Sequence, residues 1–423
     1  MKPKILIIAA VISLSYFCLG MNNSHAQNTP DTYVTINGTV KDNNTKKNLG
    51  YINVTAKGKK IATITNGDGY FSLKIDKEQL SKKAQEIVVS GLGYKNTKVI
   101  VEIPQNETLI VYLKPEQNLL SEITIYPSEP KLLIQKALEK VVENYSDKPL
   151  QLTGFYRETA EKRHKYISLS EAIFDSYKSS YANSTSEDRI RILKGRKLIS
   201  PKIEDTLAVK LLGGPSLFIY LDAVKNRESI LSEELLNDYN FAMEEQTAIN
   251  ERPQYVISFR PKLNLTEKEE YFGKLFIDKE LLAFSRIEYS LSMEDLSKAT
   301  RVMLFKKPAG LRFKPQEMSF VISYIYEEGK SYLNYIRSNI RFKCDWKRRL
   351  FSTNYSMTTE MIVTSRTENN VTKINNKEAF GDKEIFYDKV AYFKDLDFWR
   401  QYNIIEPTES LETAIKKLVK HSK

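Results

Sequence analysis

Histidine and cysteine are nearly missing from this sequence: 423 residues hold three of the first and two of the second. Cys18 and His25 stand in residues 1–26, which read as a cleaved export signal: Lys2 and Lys4, an apolar run from Ile5 to Gly20, then Ser24 and Ala26 at the small-residue positions of a cleavage site. The chain that follows has Cys344 alone, so no disulfide can form within it. It has only His164 and His421, too few for a histidine-based catalytic zinc site, and neither has a Glu at ligand spacing. The same scarcity removes Ser-His-Asp and Cys-His arrangements. Long apolar runs are lacking too. The leader run is shorter than the ~20 residues a spanning helix needs, and no run after residue 26 reaches that length. A lipid anchor at Cys18 is disfavoured because Tyr16 and Phe17 occupy positions where a lipobox carries small residues.

What is present is a core and a positive charge. A hydrophobic content of 41% is enough for about 400 residues to bury a core without staples, divided among two or three domains. Lysine and arginine number 64 against 53 acids, a formal charge of +11 that becomes +9 once Lys2 and Lys4 leave with the signal. On an exported protein this balance favours anionic lipid, anionic glycan or acidic protein over nucleic acid.

From Tyr33 to Pro115 the chain is a series of short alternating runs broken by turn residues, as in YVTINGTV, YFSLKI and TLIVYLKP, which predicts a small antiparallel sandwich. In YFSLKI, Phe71, Leu73 and Ile75 share one face and Ser72 and Lys74 the other. Asn66, Gly67, Asp68 and Gly69 precede this run and are expected to close a hairpin between KIATIT and YFSLKI. A calcium loop through Asp68 would begin at Ile64 and end at Ile75, and neither can ligate calcium. A phosphate cradle would lead into a helix, whereas here a strand follows.

The segments INGTVKD, LGYINVTAKG, TNGDGYFSLKI and IVVSGLGYK together resemble the carboxypeptidase regulatory-like domain. That resemblance implies a transthyretin-like seven-strand sandwich, common at the front of TonB-dependent receptors and other envelope proteins, and nothing catalytic. LLSEITIYP, Leu119 to Pro127, is similar to the stretch that leads into the plug of such receptors; no plug or large barrel follows.

Beyond Pro127 and Pro130, Ile134, Ala137, Leu138, Val141, Val142 and Tyr145 make one stripe of an amphipathic helix, Lys131 to Tyr145. The remainder reads as strands, interrupted by a helix from Ser216 to Asn226 and closed by a helix with Leu411, Ile415 and Leu418 on one side. In the clearest strand Ile336, Ile340 and Phe342 alternate with Arg337, Arg341 and Lys343. Hairpins turn at Asp278 to Glu280 and at EEGK, so the sheet is expected to be antiparallel. The rhythm of YFGKLFIDKELLAFSRIEYSL is similar to the half-barrels of lipoprotein-sorting, LolA-like proteins. A membrane barrel is disfavoured, because Arg337, Arg341 and Lys343 facing lipid would each cost ~2–4 kcal/mol near the midplane.

The expected fold is therefore mainly β: a signal over 1–26, a sandwich over 33–115, a linker over 116–130, and an antiparallel half-barrel-like α+β domain over 131–423 with its closing helix over 407–421. No catalytic, cofactor or metal residue is expected. Ile336, Ile340 and Phe342 are candidates to line a cup, and Arg337, Arg341 and Lys343 to meet a partner or an anionic surface. The expected function is a non-enzymatic envelope protein, in the periplasm or at the periplasmic face of the outer membrane, binding a lipid, a lipidated segment or a partner protein. The alternatives are a glycan hydrolase with carboxylates gathered by the fold and an accessory of a TonB-dependent system.

Overall fold

The structure, a computed structural model, describes residues 32–421 apart from 81–82, 117–128, 183–186, 203–204, 206, 208, 212, 229, 263–268, 347–351, 382–383 and 393–397. Residues 1–26, read above as an export signal, and most of the expected linker over 116–130, including LLSEITIYP, lie outside the described residues.

Seven strands build the front sandwich: β1 Tyr33–Asp42, β2 Asn53–Ala56, β3 Ala62–Ile64, β4 Tyr70–Asp76, β5 Ala84–Ser90, β6 Thr97–Glu102 and β7 Leu109–Leu113. One sheet has the order β4-β1-β7 and the other β3-β2-β5-β6. Their inward rows, including Ile36, Val40, Phe71, Leu73, Ile87 and Val89, are buried against one another, as the period-two alternation requires. Contrary to expectation, Asn66 to Gly69 does not close a hairpin. β3 pairs with β2 and β4 with β1, so the turn carries the chain from one sheet to the other. Its local chemistry suits that job. Asn66 Oδ1 accepts from the backbone N–H groups of Asp68 and Tyr70, both at 3.0 Å, and Gly69 holds φ +79° where a Cβ would lie 2.9 Å from the Val40 carbonyl oxygen.

The rest of the chain contributes β8 Leu150–Lys162, β9 Lys165–Lys178, β10 Arg189–Ile199, β11 Lys210–Leu211, β12 Tyr239–Met243, β13 Thr247–Ile249, β14 Arg252–Pro261, β15 Tyr271–Asp278, β16 Phe284–Leu291, β17 Leu304–Lys306, β18 Leu311–Glu327, β19 Lys330–Trp346, β20 Thr353–Thr367 and β21 Ala391–Tyr392. Twelve of them form one curved sheet, ordered β12-β14-β15-β16-β18-β19-β20-β8-β9-β10-β21 with β13 added on β14. Every pairing in it is antiparallel except β10 with β21. The β18–β19 hairpin closes on Glu328 and Gly329, both at positive φ (51° and 86°), the two-residue turn whose twist matches paired strands.

Short helices cover the inner face of this sheet. The predicted helix from Lys131 to Tyr145 is two pieces, Pro130–Glu139 and Val141–Asn144, meeting at Lys140. Ile134, Ala137, Val141 and Tyr145 are buried, but Val142 is 51% exposed because the break rotates it out of the stripe. The predicted helix from Ser216 to Asn226 is regular only over Pro215–Tyr220; turns follow, and a further helix, Glu233–Asp238, lies beyond them. The C-terminal helix Glu409–His421 sets Leu411, Ile415 and Leu418 against Leu169 and Leu198, on the other face of the sheet.

Candidate functional site

The inner face is a packed core. Ile336 joins Tyr156, Phe174, Ile287, Ile322 and Met361 beneath helix residues Ile134, Val141, Phe218 and Leu235. Ile340 and Phe342 pack with Phe313, Tyr355 and Met303 under the helix Leu296–Met303, the rings of Phe342 and Tyr355 stacked 5.4 Å apart. Cys344 belongs to the same cluster, and burial pushes its thiol up to about 11, away from nucleophile chemistry. Partly buried Glu158 accepts from the Tyr156 hydroxyl at 2.5 Å, and that hydroxyl accepts from Gly214 N–H. Desolvation raises the Glu158 carboxyl to about 7 against the opposing pull of the Tyr156 hydroxyl and the nearby Gly214 N–H. A carboxyl near neutrality suits a proton donor, but the groups acting on it are a phenol and a backbone amide, with no second carboxylate among them.

The outer face carries a charge ladder. Strand register aligns Arg337 of β19, Glu360 of β20, Arg157 of β8, Glu171 of β9 and Arg196 of β10 in one row of alternating sign. Glu171 is fully buried and accepts from Arg157 Nε and Arg196 Nε, both at 2.7 Å. Glu360 accepts from the Tyr335 hydroxyl at 2.8 Å. A strap of chain from Phe398 to Glu409 crosses the row. Arg157 donates to the Ile405 carbonyl at 2.7 Å, and the Arg196 guanidinium lies 4.8 Å from the Trp399 ring centroid.

Strap and sandwich lock together over this row. Asn403 makes two hydrogen bonds with the Lys74 backbone, Thr63 donates to the Ile404 carbonyl, and Asn66 donates to the Pro407 carbonyl at 2.9 Å. Asp68 Oδ2 accepts from Glu409 N–H at 2.7 Å, at the first turn of the C-terminal helix. The Gly-Asp-Gly turn thus holds a helix end, a role with no local sequence signal because its partner is 341 residues away. Asp68→Ala should lower stability by about 1 kcal/mol, the usual loss for a helix-terminal acceptor. Chemical melts with and without calcium check this; calcium raising the stability of the unsubstituted protein alone would contradict it.

The three candidate cations are separated by this packing. Arg337 lies beneath Tyr51 of the sandwich, its guanidinium 4.3 Å from the ring centroid, and lines a crevice of about 100 Å³ with Asn53, Leu92, Arg286, Val321 and Tyr335. Arg341 stays exposed and pairs with Glu317 at 2.5 Å, and Lys343 is partly exposed one step further along β19. Among the described residues no group of three or more His, Cys, Asp or Glu could hold a metal ion. No described helix is long and apolar enough to cross a membrane.

Residues 36–125 match the family model of the CarboxypepD_reg-like domain. Among solved structures, a putative outer membrane lipoprotein-sorting protein domain from Vibrio parahaemolyticus is 9% identical, with a TM-score of 0.26 over 58% of this chain and 96% of that one. A LolA superfamily protein from Nitrosomonas europaea is 10% identical, with a TM-score of 0.22 over 57% and 97%. A putative membrane-associated protein of unknown function from Bacteroides fragilis is 12% identical, with a TM-score of 0.16 over 79% and 98%. No curated protein matches the chain. Likeness at these scores transfers no activity.

Proposed function

We propose that this is a non-enzymatic, exported protein of the cell envelope that binds through its surface, with sandwich and curved sheet acting as one body. The observation that carries this reading is the filled inner face. Side chains of its own helices occupy the space a cargo would need, and a crevice of about 100 Å³ lies instead between the sandwich and the sheet, lined by Tyr51, Asn53, Leu92 and Arg337 among others. Ligand pockets run from roughly 300 Å³ upward. The sandwich is fastened to the sheet as well as to the strap: Asn334 donates to Asn53 at 2.7 Å, Gly93 N–H donates to the Ala248 carbonyl, and Ile61 bridges Ser365. A module held at so many points presents a fixed surface to a partner.

Native mass spectrometry of the purified exported protein tests this. The expected spectrum shows the polypeptide alone, beginning near Gln27. A stoichiometric acyl lipid that disappears in Ile340→Arg would overturn surface binding in favour of a carrier.

A further inference from the structure

One end of the curved sheet concentrates like charges that fold stability alone would keep apart. Register places Lys314 opposite Lys343 on β18 and β19, Lys162 opposite Lys165 at the β8–β9 turn, and Lys210 opposite Lys306 on the β11–β17 ribbon. Like charges directly opposite are destabilising in a sheet. The elements meet at the same end: Tyr355 of β20 pairs with both Phe342 and Lys162, Lys162 pairs with Asp205 just before β11, and four residues join β17 to Leu311 of β18. Asp345, Glu317 and Asp388 offset part of the charge. The β8–β9 turn also sets Arg163 and His164 at φ 50° and 63°, where Asn-Gly is the unstrained choice. Beside these cations Phe305 is 54% exposed, followed by exposed Lys306, Lys307, Pro308, Ala309 and Gly310.

We propose that this end of the protein docks on an anionic membrane surface, with Phe305 entering the headgroup boundary and Lys306, Lys307, Lys314, Lys343, Arg163 and Lys165 reaching lipid phosphates. This rests on the surface-binding reading. The cations belong to four separate stretches of chain and line none of the described crevices, an arrangement that fits a broad, flat, negatively charged partner. An aromatic ring between lysine stems is suited to the interface, because ring and methylenes enter the apolar boundary while the ammonium groups stay in water.

Co-sedimentation of the full exported chain with vesicles tests it, comparing phosphatidylcholine containing phosphatidylglycerol with phosphatidylcholine alone. Binding is expected only to the anionic vesicles and should weaken in high salt. Lys314→Glu with Lys343→Glu should weaken it by about tenfold or more, since each lysine near such a surface contributes several-fold. Phe305→Ser, which removes apolar area without adding charge, should weaken it in a salt-independent manner, whereas Lys98→Glu, on the exposed face of β6, should leave it unchanged. A thermal melt of each variant establishes that it is folded. Equal binding to both vesicles, equal loss in Lys98→Glu, or no binding to either would overturn the proposal; the last would make an acidic protein the partner of this patch. A lipid found inside the cup would instead overturn the reading it rests on, so the two failures are distinguishable.

Discussion

Glu171→Gln is expected to lower the stability of the folded protein by about 3–5 kcal/mol, the usual consequence of removing one charge from a buried, hydrogen-bonded ionic group. Glu171 is fully buried, and its two oxygens each accept from a different arginine, Arg157 and Arg196. Glutamine retains the shape but can neutralise neither guanidinium, leaving two buried cations with a neutral neighbour. The effect should propagate, because Arg157 also holds the strap through the Ile405 carbonyl and Arg196 stacks on Trp399. The chain has two tryptophans, so Trp399 fluorescence should report a loosened strap in denaturant below the main transition. The pH dependence has a definite sign. Burial alone would raise the Glu171 pKa, but Arg196 and Arg157 outweigh it and hold the carboxyl below its ordinary value. Its contribution is therefore fully present above the unfolded-state pKa of about 4.3 and is lost as pH falls through the lower folded value. Urea melts across that range should show a steep acid limb in the unsubstituted protein and a flatter one in Glu171→Gln. Replacing all three residues by Arg157→Met, Glu171→Leu and Arg196→Met should recover much of the loss, since no buried charge would then be stranded. A Glu171→Gln protein as stable as the parent at neutral pH would show that the ladder is hydrated and contributes little.

The row around Glu171 also shows how far the sequence could be read. Within each strand the pattern was visible: Phe155, Arg157 and Thr159 alternate, as do Leu169, Glu171 and Ile173, and a charge inside an otherwise apolar row is the available signal. What joins Arg157, Glu171 and Arg196 is register between strands, which depends on turn geometry and on a bulge between Ile192 and Lys194, and neither is written in any one strand. The seven sandwich strands were legible because each run is short, alternating and punctuated by turn residues. The Asn66 to Gly69 turn was legible as a turn but not as a crossing between sheets, since β3 is only three residues long and pairing is a long-range property. Similarly, Arg337, Arg341 and Lys343 share one face by period two, yet the sandwich covers only Arg337. Coverage by another part of the chain has no local trace. The helix break at Lys140 follows from tertiary demand: Tyr145 must turn inward for its hydroxyl to reach the Phe284 carbonyl at 2.7 Å.

The second large effect belongs to a group that no motif marks, the charged cluster inside the core. Asp222 is fully buried beside Lys178 Nζ at 2.8 Å and accepts from the Tyr181 and Tyr324 hydroxyls at 2.5 and 2.7 Å. Lys178 reaches Asp188 at 2.6 Å, and Lys225 lies 3.4 Å from the same carboxylate, so two lysines balance two aspartates. Tyr145 packs its ring against both tyrosines, sealing the cluster. Desolvation pushes the Asp222 pKa up, but Lys178 and the two hydroxyls overcome it and keep the carboxyl ionised below its ordinary value. Asp222→Asn should therefore cost about 3–5 kcal/mol by leaving two buried ammonium groups with a single carboxylate. Pairing it with Lys178→Met restores neutrality, leaving Lys225 and Asp188 as a matched pair. The double variant should accordingly be more stable than the sum of the two single losses predicts, by about 1–3 kcal/mol. Tyr324→Phe, which removes only one hydrogen bond to the carboxylate, should cost about 1.5–3 kcal/mol. Urea unfolding of the four proteins at neutral pH supplies the cycle. Losses that add to within about 0.5 kcal/mol would mean that Lys178 and Asp222 are stabilised independently, and that the cluster is two separate ion pairs sharing one compartment.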